Sequence, residues 1–271
     1  MNSSPITTRW ISVPATSTSG DPPSSFDAYL CTPPAGRGPG LLLLQEIFGV
    51  NEHIRGVAEQ YALAGFTVLA PDLFWRQTRR VELGYVGEER EQAMALMRSV
   101  QREQVVADMQ ASLALLRTLP ELGDPSSAGI GESAANGARI GESASNGARI
   151  GAVGYCMGGR LAFTAAALCG VDAAVAYYGG GIAGQLDLAA QISCPVQFHH
   201  AGQDHAIPPE AVAVVKAAMA ASPAAGLAEF HDYPQAQHGF NCWARAAYHP
   251  ASAALALGRS LGFLAQLFKT A

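Results

Sequence analysis

Six short runs of nearly unbroken apolarity recur along the chain, at 40–44, 66–70, 149–154, 172–177, 195–199 and 227–233. A strand with one wet face alternates apolar and polar residues. A run that is apolar at almost every position reads instead as a strand covered on both faces, as in a parallel sheet between helices. Helical patterns fill the intervals. Residues 52–64 are amphipathic and end before Gly65, a natural C-cap. Residues 88–119 form a long mixed-charge stretch stopped by Pro120, and 157–168 are Ala-rich and apolar. Residues 209–221 begin with a proline, which suits a first helical turn, and 251–268 close the chain. Strand alternating with helix predicts a single α/β domain over 1–271, built on a mostly parallel, doubly wound sheet flanked by helices. The opening segment, 1–35, carries Pro and Ser clusters and reads as an antiparallel hairpin.

The chain has 271 residues, of which 49% are hydrophobic and 14% charged. Soluble domains average about 25% charge, so material for a core is ample. Seventeen Lys and Arg against twenty-two Asp and Glu leave a net charge of −5, and no basic run exceeds Arg79-Arg80. Nucleic-acid binding through a basic patch is not expected. The N-terminus shows no secretory pattern. The longest apolar stretch considered, 161–186, is Gly-rich and broken by Asp172, so no membrane association is expected. Five cysteines (31, 156, 169, 194 and 242) form no CxxC pair. Neither a zinc ribbon nor a dithiol redox motif is supported, and reduced thiols in the cytoplasm are the expectation. GESAANGARI at 131–140 is followed by GESASNGARI at 141–150. Two copies are too few for a solenoid. The duplication reads as an extension of a surface loop over 121–148, which costs little.

The strongest local signal is Gly154-Tyr155-Cys156-Met157-Gly158-Gly159, between an apolar strand and an apolar helix. This is the G-x-S-x-G nucleophile elbow with Cys for Ser. A nucleophile on a strained strand-to-helix turn needs small residues two before and two after it. The positive end of the helix favours a thiolate, and the backbone N–H of Met157 is placed to hold an oxyanion. The competing reading is a buried Cys in a Gly-rich turn.

An elbow takes an acid and then a histidine from later in the chain. Ala201-Gly202-Gln203-Asp204 follows the fifth apolar run, and Gln237-His238-Gly239-Phe240 follows the sixth. His238 would take the thiol proton and return it to the leaving group, while Asp204 would fix its tautomer. Asp204 as a loop cap and His238 as a loop histidine are the plainer alternatives. His53, His199, His200, His205, His231 and His249 compete, but most lie on helices, within strands or before the loop. Glu46 directly follows four leucines, where a carboxylate needs a partner or a task. That loop is the source of an elbow hydrolase's second oxyanion donor, here the N–H of Ile47, and it would let Glu46 touch the Cys156 thiol. A capping or salt-bridged Glu is the alternative.

Gln45 to Asn51 (QEIFGVN), Pro71-Asp72-Leu73-Phe74, the Cys156 elbow, Gly202-Gln203-Asp204 and His238-Gly239-Phe240 together resemble the dienelactone hydrolase family, in the family's order, from about residue 26 to the C-terminus. The resemblance implies an α/β-hydrolase fold of about eight strands. It implies hydrolysis of a small-molecule lactone or related ester through a Cys156–His238–Asp204 triad and a thioester. Glu46 matches the family glutamate that helps activate the thiol when substrate arrives. No metal or organic cofactor is implied. Of two family arginines that bind a substrate carboxylate, one matches Arg90 in Arg90-Glu91-Gln92-Ala93. The other position, four residues after the histidine, is Cys242, with Arg245 as a nearby substitute. Met94 and Met97 stand where the family has an aromatic pair, giving an adaptable pocket wall. A thioesterase or peptidase on the same fold, and a thiol-bearing binding or redox-sensing protein, are the alternative functions. Oligomeric state is not legible.

Overall fold

The computed structural model describes residues 5–15, 24–123 and 148–268. Most of the duplicated loop lies outside the described residues. The elements are β1 (Thr7–Pro14), β2 (Ser25–Thr32), β3 (Gly40–Leu44), α1 (Glu52–Leu63), β4 (Thr67–Pro71), α2 (Gly87–Ser99), α3 (Arg102–Thr118), β5 (Ile150–Tyr155), α4 (Met157–Leu168), β6 (Ala173–Tyr177), β7 (Val196–Ala201), α5 (Pro209–Ala220), β8 (Ala228–Tyr233) and α6 (Pro250–Leu264), with short 3-10 turns between some of them. They build one eight-stranded sheet in the order β1-β2-β4-β3-β5-β6-β7-β8. The expected opening hairpin is present: β1 pairs antiparallel with β2, and β2 antiparallel with β4. Every pairing from β4 through β3 to β8 is parallel.

The apolar runs explain the two-sided burial. Successive strand residues point to opposite faces. Leu42 and Leu44 of β3 join a core with Met109, Leu113 and Leu116 of α3 and Leu161 of α4. Leu41 and Leu43 join the opposite core with Ile54, Val57 and Tyr61 of α1 and Ala256 and Leu264 of α6. Asn51 starts α1 by accepting from the Ile54 N–H at 3.2 Å, the usual N-cap bond.

Three sequence expectations are corrected. Stretch 88–119 is two helices, α2 and α3, with Val100 and Gln101 extended between them. From Arg98 to Gln104 only Val100 is apolar, so the helical stripe has nothing to bury across the break. The run in β8 is not covered on both faces; Glu229 and Asp232 are exposed, because β8 is an edge strand. Among the described residues, the helical segment Pro250–Phe268 is long and apolar enough to cross a membrane, although 161–186 had seemed the longest candidate. In the fold it packs one face on the sheet, with Ser260 Oγ hydrogen-bonded to Tyr177 of β6 at 2.8 Å.

Candidate active site

Cys156 joins β5 to α4 with φ 56° and ψ −114°, a conformation that a residue with a side chain rarely adopts. Such strain survives only where the surroundings enforce it. Here the Cys156 N–H donates to the Tyr177 carbonyl at 3.0 Å, and its own carbonyl accepts from Gly159 at 3.0 Å. The small residues are required by close approach. A Cβ on Gly154 would fall 1.9 Å from the Gly158 oxygen, and one on Gly158 would fall 2.1 Å from the Leu44 oxygen. The elbow therefore packs directly on the end of β3. Met157 is the first residue of α4, so no earlier carbonyl within the helix is available to its N–H.

The acid and histidine loops are tied together by backbone bonds. Gly202 N–H donates to the Tyr233 carbonyl at 2.8 Å and Gln203 N–H to the Ala236 carbonyl at 2.9 Å. Asp204 is buried. Its Oδ1 accepts from Ala206 N–H at 2.8 Å and Ile207 N–H at 3.2 Å, while Oδ2 is 2.8 Å from His238 Nδ1. It caps its loop and orients the histidine at once, so the two readings of Asp204 are not exclusive. The bond on Nδ1 leaves Nε2 as the ring nitrogen free to serve a nucleophile, and Cys156 and His238 line the same cavity. Burial is the largest influence on the imidazole and pulls its pKa down. Hydrogen bonding and charge from Asp204 and Cys156 outweigh it and raise the pKa to about 10. Tyr178, itself at positive φ, packs its ring 5.1 Å from His238.

Glu46 sits on the loop after β3, 1% exposed. Its Oε1 accepts from Arg245 Nη1 at 3.3 Å, and the Cys242 sulfur lies within 4.8 Å of a carboxylate oxygen. Burial drives its pKa up; the charges of Arg245 and His238 pull it back without cancelling the rise. The salt-bridged alternative for Glu46 thus describes this state. Gly239, at φ 82°, makes room for the pair, since a Cβ there would meet Arg245 Nη1 at 2.4 Å. The guanidinium also lies 5.8 Å from the ring centres of Phe48 and Tyr85.

A cavity of about 350 Å³ brings these pieces together. Cys156 and His238 line it beside Ile47 and Met157, the two residues expected to supply oxyanion donors. Phe48, Met94 and Met97 make an apolar wall, and Arg90, Arg160 and Arg245 surround it with positive charge. All the residues singled out from the sequence are therefore at or beside one cavity. Arg160 was missed. Its position, four residues after the nucleophile and hence one helical turn on, is the signal that would have found it.

The competing histidines are engaged elsewhere or lie off the cavity. His199 bonds Tyr233 at 2.8 Å and Gln197 at 2.8 Å inside the sheet. His249 accepts from Ser252 N–H at the start of α6. His231 lies on the edge strand β8, near Glu229. His200 is near Asp232. His53 is buried on α1 against Trp243, and His205 is exposed.

Comparison with known proteins was consistent across sequence and structure. A sequence model of the "Dienelactone hydrolase family" matches residues 26–131 and 133–268. The carboxymethylenebutenolidase of Pseudomonas putida is 34% identical over 244 residues, covering 90% of this chain and 92% of its own. Carboxymethylenebutenolidase 1 of Cupriavidus pinatubonensis is 34% identical, covering 89% and 92%. The crystal structure of a putative dienelactone hydrolase from Klebsiella pneumoniae superposes with a TM-score of 0.72 at 28% identity, covering 96% of this chain and 99% of that one.

Proposed function

Because the chain belongs to the dienelactone hydrolase family, we propose that it hydrolyses carboxylic esters or lactones with Cys156 as nucleophile, His238 as the proton carrier and Asp204 as the orienting acid. The observation that carries this reading is the 2.8 Å bond between His238 Nδ1 and Asp204 Oδ2, with the strained Cys156 lining the same cavity as the ring. The imidazole pKa, raised to about 10, favours a ring that holds a proton until the leaving oxygen takes it.

The sulfur attacks the carbonyl carbon, and the N–H groups of Ile47 and Met157 stabilise the oxyanion. The C–O bond breaks as His238 delivers its proton to the leaving oxygen, giving a thioester. Water then attacks the thioester while His238 takes its proton; the C–S bond breaks and the thiol is restored. Arginines around a Met- and Phe-lined wall favour a substrate with an apolar body and a carboxylate. A substrate carboxylate that takes Arg245 frees Glu46 to influence the thiol, which is the activating role the family resemblance assigns to it.

The test is turnover of a panel of esters, thioesters and lactones, with and without a carboxylate, by wild type and Cys156→Ala. The expected result is hydrolysis that favours carboxylate-bearing lactones or esters and disappears in Cys156→Ala with the fold intact. Wild-type rates in Cys156→Ala would refute the triad. A preference for thioesters would move the assignment to a thioesterase, and no turnover of any member would favour the thiol-bearing binding protein.

A further inference from the structure

Behind the catalytic cavity, three buried donors converge from remote parts of the chain, and two of them, His53 and Cys242, have no part in the proposed reaction. Glu46, His53 and Cys242 each offer a ligand atom, and these atoms all lie within 4.8 Å of one another. The residues are 1%, 2% and 0% exposed. Two independent features mark the cluster as more than an accident of packing. Both ring nitrogens of His53 are buried without a hydrogen-bond partner, and so is Glu46 Oε2. Leaving such groups unpaired costs about 1–3 kcal/mol each, so a fold retains them where something compensates.

We propose that Glu46 Oε2, a ring nitrogen of His53 and the Cys242 sulfur form a binding site for a borderline-soft divalent cation of the zinc or cobalt type. The donor set is mixed carboxylate, imidazole and thiolate, which suits zinc rather than magnesium or calcium. Metal–ligand bonds of roughly 2.0–2.3 Å place the donors of a tetrahedral site roughly 3–4 Å apart. Side-chain shifts of about an ångström close the present spacing. On binding, Cys242 gives up its thiol proton to solvent, and the resulting thiolate and the Glu46 carboxylate offset the cation. Arg245 occupies Oε1 of Glu46, so Oε2 is the oxygen left for the metal. Trp243, 41% exposed, packs 4.2 Å from the His53 ring and also lines a surface cavity of about 200 Å³. That cavity brings solvent to the residue covering the site.

The test uses cobalt(II) as an optical probe on the Cys156→Ala chain, so that the catalytic thiol contributes nothing. The expected result is one equivalent bound, with a near-ultraviolet thiolate-to-cobalt charge-transfer band. Adding Cys242→Ser should abolish the band, and adding His53→Gln should weaken binding at least tenfold. If Cys242→Ser fails to fold, X-ray absorption of the zinc-loaded Cys156→Ala chain decides instead, with one sulfur and one imidazole expected. A band that survives Cys242→Ser, no band at all, or a zinc shell without sulfur would each overturn the site. None of these results depends on ester turnover.

Discussion

Replacing Arg245 by methionine keeps most of the side chain's bulk and removes the charge that faces Glu46. The carboxylate then has no cation at 3.3 Å, while burial continues to disfavour its charged form. A carboxyl in that position folds protonated. An unfolded glutamate ionises near about 4.3, and each pKa unit is worth about 1.4 kcal/mol. Folding with Glu46 neutral at pH 7 therefore costs at most about 3.7 kcal/mol, and at pH 5 about 1 kcal/mol. The sign follows from the raised folded-state pKa. Stability from such a group is full below the unfolded pKa and is lost as pH climbs towards the folded value. Wild-type Glu46 is already shifted in this direction, so the ceiling applies to both chains, and the difference between them measures Arg245. Urea denaturation at pH 5 and pH 7 reads it. Arg245→Met should be destabilised by about 2–3 kcal/mol at pH 7 and by well under half of that at pH 5. The double variant Glu46→Gln/Arg245→Met should lose this pH dependence, with a coupling of about 1–3 kcal/mol between the two positions. A penalty equal at the two pH values, or wild-type stability in Arg245→Met at pH 7, would show that the pair is not electrostatic in origin.

Other perturbations probe other parts of the site. Asp204→Asn should lower kcat by about ten-thousandfold, as expected when a triad histidine loses its orienting carboxylate, and NMR titration should show His238 falling from about 10 towards its ordinary range. In the wild type, protonated His238 contributes stability that is full below about 6.5 and is lost as pH rises through about 10; urea midpoints of Asp204→Asn should lack most of that alkaline loss. Gly158→Ala should cost about 3 kcal/mol, the upper part of the overpacking range, because the clash at 2.1 Å is with backbone; a shift under half a kcal/mol in chemical denaturation would contradict it. Asp108→Ala should cost about 3 kcal/mol by the same measurement, since the buried carboxylate pairs with Arg76 and accepts from Trp75 Nε1 at 3.0 Å.

What could be read from the sequence was what depends on near neighbours. An all-apolar strand announces two covered faces, and β3 to β7 are buried at almost every position. The elbow is a local construction, so its glycines and cysteine carry their own signature. Asp204 and His238 could be singled out because each follows a legible strand. The illegible parts depend on partners far away in sequence. Glu46 and Arg245 are 199 residues apart, and nothing near either one names the other. The break between α2 and α3 has no Gly or Pro to announce it. It arises because α2 borders the cavity while α3 packs on the sheet.

Arg245, proposed above as the partner of a substrate carboxylate, lies three residues past the position where the family resemblance implies an arginine. The family position four residues after the histidine is Cys242, which by itself argues against a carboxylate-binding clamp. The backbone that follows winds in tight turns: Cys242 N–H donates to the Gly239 carbonyl, Arg245 N–H to that of Cys242, and Tyr248 N–H to that of Arg245. Arg245 thus follows Cys242 by one such turn. It still borders the cavity and still reaches Glu46. Cys242 puts a thiol beside that carboxylate and His53, so the residue at the position implied for an arginine is the one that completes the proposed set of donors.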